Sequence, residues 1–149
     1  MSPLAHVEDS QRRAWEILLC CTRTRMGPER GKELCALLRG DADWEYLLRM
    51  AFRHGVTPLL SLHLNAVATG RAPSAVLTQL NSYVLEHTKR NLFLTGELLK
   101  LLDLLRAHAV PAVSIKGPVL AASVYGSLSL RRFVELLHTT SHHQLLQAC

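Results

Sequence analysis

The chain has 149 residues, 48% of them apolar and 5% aromatic, and its 17 Lys and Arg against 12 Asp and Glu give a net charge of +5. That length holds one domain, or a small domain with part of another, and the apolar content excludes global disorder. Residues 1–10 lack the apolar run of a secretory leader, and charges interrupt every Leu-rich stretch short of the roughly 20 residues a membrane helix needs, which predicts a cytoplasmic chain with no membrane partner.

Abundant Leu, Ala and Arg with few aromatics favour helix over sheet. Arg12, Arg13, Arg23, Arg25 and Arg30 gather near the N-terminus. No aromatics interleave with them as stacking platforms for bases would, so they read as a solvated helix face, and nucleic acid as a partner has no support. Cys20, Cys21, Cys35 and Cys149 form no C-x-x-C pair, which fits reduced thiols.

In chain order, residues 11–22 hold Trp15, Leu18 and Leu19 at helical spacing until Met26-Gly27-Pro28 interrupts. A second helix is expected over residues 29–39, ended by Gly40 in the left-handed position. Asp41 or Asp43 caps a third, in which Trp44, Leu47, Leu48 and Ala51 fall at i, i+3, i+4 and i+7, and Gly55 closes it. Thr57-Pro58 starts a fourth, with Thr as cap and Pro in the first turn.

The longest element begins at Ala72-Pro73-Ser74. Val76, Leu80, Tyr83, His87, Asn91, Leu94, Leu98, Leu101 and Leu105 recur in alternating steps of four and three, an apolar seam along a helix about 50 Å long at 1.5 Å per residue. His87 and Asn91 read as weak points in it, and Gly96 predicts a bend or a close neighbour. The seam is expected to pack on the upstream helices in preference to forming a coiled-coil dimer; the oligomeric state is left open.

A boundary is expected near residue 108, dividing a helical region (1–108) from an α/β segment (109–149). Residues 110–115 are short and partly β-branched, and Lys116-Gly117-Pro118 punctuates them before a short helix ending at Gly126. A strand-turn-helix with Gly at the turn gathers free backbone N–H groups and the positive helix end at one place, suited to phosphate. The spacing is not that of a P-loop, and Pro118 removes one amide.

Residues 110–137 resemble the opening of an uncharacterised bacterial nucleotidyltransferase family that reads as an apolar strand, K-G, L-A, Y, L-R and D-x-D. Lys116-Gly117, Leu120-Ala121, Tyr125 and Leu130-Arg131 match it, and residues 54–60 resemble its helical leader. The resemblance implies a turn that binds nucleotide phosphates and two aspartates on the next strand that hold Mg2+. Metals there neutralise the triphosphate and activate the attacking hydroxyl, and i, i+2 spacing sets both carboxylates on one strand face. Here Glu135 stands first, a longer carboxylate able to ligate, and Leu137 stands second and is not. The match fades after Leu137, which predicts truncation. His138, His142 and His143 read as a polar tail.

The resulting expectation is a mainly α chain: an N-terminal helical bundle with one long helix, then the incomplete start of an α/β nucleotidyltransferase-type domain. One functional reading is transfer of a nucleoside monophosphate from a nucleoside triphosphate to an unknown acceptor, with Lys116 and Gly117 on phosphate, Arg131 or Arg132 on triphosphate or acceptor, and Glu135 on Mg2+. In that reading catalysis is impaired. The other is a non-catalytic helical interaction module or relic.

Overall fold

The computed structural model describes residues 3–67, 70–114 and 116–133; Ile115, Glu135, Leu137, the three C-terminal histidines and Cys149 lie outside them. Six helices follow in order: α1 (Pro3–Cys20), α2 (Pro28–Leu37), α3 (Trp44–Arg53), α4 (Thr57–Val67), α5 (Ser74–Ala107) and α6 (Pro118–Tyr125). The mainly α expectation holds, and no strand forms among the described residues. The chain divides into two compact units, Met1–Leu85 and Glu86–Cys149. α5 supplies residues 74–85 to the first and 86–107 to the second.

The first unit is built around one apolar core. α1 packs on α2 and α3, and α4 packs on α2 and α3. Ile17, Leu34, Leu47, Leu60, Leu64 and Leu80 are fully buried in it. α1 starts at Pro3, well before the expected residue 11. Between Asp9 and Glu16 it carries charge pairs: Arg12 to Asp9 at 2.6 Å and to Glu16 at 3.6 Å, and Arg13 to Asp9 at 3.6 Å. Such i, i+3 and i, i+4 pairs support a helix without a buried stripe.

Of the two candidate caps for α3, Asp43 serves: its Oδ1 accepts from the Tyr46 N–H at 2.8 Å. α3 ends in a Schellman arrangement. The Val56 N–H reaches Ala51 O at 3.0 Å and the Gly55 N–H reaches Phe52 O at 3.2 Å. Gly55 takes the left-handed conformation this requires, φ 69°.

Two expected termini are corrected. Gly40 is not left-handed; α2 ends at Leu37 with Leu38 as a right-handed C-cap. The Arg13 guanidinium lies where a Cβ at position 40 would stand, so close approach is what the glycine provides. Thr57 is the first residue of α4, not its cap, and its buried Oγ1 has no hydrogen-bond partner among the described residues. The turn before α4 is closed by backbone instead, from the Leu60 N–H to Val56 O at 3.0 Å.

Several other polar groups inside the first unit find partners. Asn65 Nδ2 donates to Asn81 Oδ1 and to Ser61 O, each at 2.8 Å, and Ser61 Oγ donates to Asn81 Oδ1 at 3.0 Å. The buried His63 contacts Arg23 O through Nε2 at 2.6 Å. Cys20, Cys21 and Cys35 are free thiols. Burial pushes the Cys21 thiol up to about 12, with the Cys20 sulfur adding to the effect, so Cys21 is an inert core group.

The seam of α5 is buried at Val76, Leu80, His87, Asn91 and Leu98, while Leu101 at its end is 40% exposed. Val76 and Leu80 join the core of the first unit, as expected of packing on the upstream helices. Gly96 has open space where a side chain would stand, so no close neighbour accounts for it. No helix of the described residues is long and apolar enough to cross a membrane.

Candidate functional site

The second unit buries a different set of groups: His87, Asn91, Leu98, Ser114, Ala121 and Phe133. Its share of α5 ends in a defined turn. The Val110 N–H bonds Leu105 O at 2.9 Å and the Ala109 N–H bonds Arg106 O at 3.0 Å, again a Schellman ending. The left-handed position is held by Ala109 at φ 56°, a conformation that costs an L-residue about 1–2 kcal/mol.

Residues 110–114, expected as a strand, form neither helix nor ladder. Strand pairing needs a neighbour for its N–H and C=O groups, and the described residues supply none. With Leu102 and Arg106 of α5 and Val119 of α6, this segment borders a cleft of about 410 Å³.

Lys116 and Gly117 lead into α6. Gly117 has φ 61° and ψ −128°, a conformation that a Cβ disfavours strongly. Its carbonyl accepts from the Ala121 N–H at 3.0 Å, and no side chain caps the helix. The Val119 and Leu120 amides therefore stand at the first turn as orphan donors at the positive helix end. Lys116 is exposed, and Ser114 Oγ donates to its carbonyl at 3.2 Å. Ala121 is fully buried, and Gly126 closes α6 in the left-handed conformation, φ 71°.

Arg131 and Arg132 follow α6. Their turn is folded by Ser127, whose Oγ accepts from the Ser129 N–H at 3.2 Å. It is fastened to α5 by Asn91. That side chain is 0% exposed, and its Nδ2 donates to Leu128 O at 2.6 Å and to Arg131 O at 2.9 Å. Asn91 and His87 read from sequence as defects of an apolar seam; Asn91 is instead the residue that positions the L-R turn. Two polar residues spaced i, i+4 on an otherwise apolar face were the available signal.

Desolvation by burial holds His87 below its ordinary value, and the charges of Arg132 and Arg90 press it further down, against a hydrogen bond with the Ser129 backbone that pulls it up. Thus the structure groups Arg131 and Arg132 with α5 and puts Lys116-Gly117 at the opposite end of α6. No group of three or more His, Cys, Asp or Glu able to hold a metal occurs among the described residues. Positions 135 and 137 offer one carboxylate and a leucine without a donor atom, which does not fit a paired-carboxylate Mg2+ clamp.

A family model for uncharacterised nucleotidyltransferases matches residues 40–146. The chain belongs to this uncharacterised nucleotidyltransferase family. The matched range takes in α3 to α6, hence the helical leader and both flanks of α6, and runs on past positions 135 and 137. No curated protein and no solved structure matches the chain.

Proposed function

We propose that this chain binds a nucleoside triphosphate through the Lys116-Gly117 turn and the Arg131-Arg132 turn, as a family member whose nucleotidyl transfer is impaired. The observation that carries the reading is Gly117, whose backbone conformation leaves the first turn of α6 uncapped beside an exposed lysine. Orphan amides and a cation at one helix end suit a phosphate group. Impairment follows from Leu137, which leaves Glu135 alone where the family's pattern has two carboxylates.

Titration calorimetry with each of the four nucleoside triphosphates and Mg2+, on the wild type and Lys116→Ala, tests this. Saturable binding by the wild type, weakened about tenfold in the variant as expected for a charge-assisted phosphate contact of roughly 1.4 kcal/mol, supports it. Binding by neither protein removes it.

A specific observation favours a second reading as an interaction module. Leu92, Phe93, Leu99 and Leu104 of α5 stay 56–67% exposed, more apolar surface than a solvated helix face ordinarily shows.

A further inference from the structure

Apart from Lys116, the cations of the second unit fall into two groups. Lys89, Lys100 and Arg106 each pair with a carboxylate three residues earlier, at 2.7, 2.8 and 2.9 Å. Arg90, Arg131 and Arg132 form no ion pair with any described residue, and the buried Nη1 of Arg131 has no hydrogen-bond partner among them. A buried guanidinium N–H without an acceptor is costly, so an acceptor is what this position lacks.

The unpaired group converges. His87, Arg90 and Asn91 stand at i, i+3 and i+4 of α5 and so share one helix face. Asn91 holds the Leu128 and Arg131 carbonyls, which seats the turn bearing Arg131 and Arg132 against that same face. Among the described residues, the charges of Arg132 from the turn and Arg90 from α5 act on the His87 ring, as does the Ser129 backbone. Cations concentrated around a buried imidazole make a focused positive field, and guanidinium forks match phosphate oxygens in pairs.

We propose that His87, Arg90, Arg131 and Arg132 form a polyphosphate-binding site on α5, with Asn91 as its positioning residue. The ligand class is a chain of phosphates, either the triphosphate of a nucleotide or a free inorganic polyphosphate. This deepens the nucleotide reading by adding α5 to the phosphate contacts, yet it stands on the unpaired cations and not on the Lys116 turn. An arriving anion offsets the Arg90 and Arg132 charges felt by His87, so binding draws a proton onto the ring.

The test follows the His87 ring by NMR in the full-length chain while inorganic tripolyphosphate is added, and then MgATP. Expected are a saturable shift of the His87 signals, an upward move of its titration midpoint with the anion bound, and affinity reduced about tenfold in Arg132→Gln and severalfold in Arg90→Gln. Lys100→Gln, which removes a cation already paired on the same helix, leaves affinity unchanged. No saturable shift, or equal loss in all three variants, overturns the site. Tripolyphosphate that binds while MgATP does not keeps the site and defeats the nucleotide reading. MgATP that binds without reaching His87 keeps the nucleotide reading and defeats the site.

Discussion

The two units solve the same problem, holding helices together, with opposite materials. The first buries aliphatic side chains: Ile17, Leu34, Leu47, Leu60 and Leu64 are fully buried and interlock four helices with the start of α5. Arg12, Arg13 and Arg30 lie against nearby carboxylates on their own helices. The second unit is held at its centre by a buried asparagine and a buried histidine, and three of its arginines stay unpaired among the described residues. In the proposed reading, the difference separates scaffold from site. Apolar burial is non-directional and tolerant, whereas a buried amide reading two carbonyls fixes one geometry, which a phosphate-binding turn requires.

Substitutions that strike one unit and spare the other break or sharpen this contrast. The largest effect is expected from Leu60→Ala, which empties a fully buried site in the first core and should cost about 2–5 kcal/mol in chemical denaturation. A cost under 1 kcal/mol would mean that the core is loosely packed. Asn91→Leu should cost about 1–3 kcal/mol by leaving two part-buried carbonyls unmet. That loss should appear in probes of α6 and the turn after it, with α1–α4 unmoved; a uniform loss would show that the clamp serves the whole chain. The smallest effect has the opposite sign. Ala109→Gly should stabilise the end of α5 by about 1 kcal/mol, since glycine takes φ 56° without the Cβ penalty, and unchanged stability would show that the last turn frays.

The first unit was more legible in sequence than the second because its determinants are local and periodic. The Trp44, Leu47, Leu48, Ala51 spacing, an Asp before α3 and Gly55 after it correspond directly to the helix, its cap and its Schellman ending. Two features there lie outside the apolar period: Gly40 answers to Arg13, distant in sequence, and α1 carries charge pairs between Asp9 and Glu16. In the second unit, Lys116-Gly117-Pro118 and Gly126 marked the limits of α6 correctly, since backbone conformation dictates those residues. The expected strand over residues 110–115 has no ladder, because β-branched composition specifies a strand only when a partner lies alongside. Asn91 reads in sequence as a defect of an apolar seam because its acceptors lie 37 and 40 residues away.

Backbone hydrogen exchange of the full-length chain, with and without MgATP, tests most directly the claim that the second unit carries the nucleotide site. Added protection is predicted at Val119 and Leu120 and across residues 127–132, with α1 to α3 unchanged. Protection appearing instead along α1 and α2, beside the N-terminal arginines, would contradict the account.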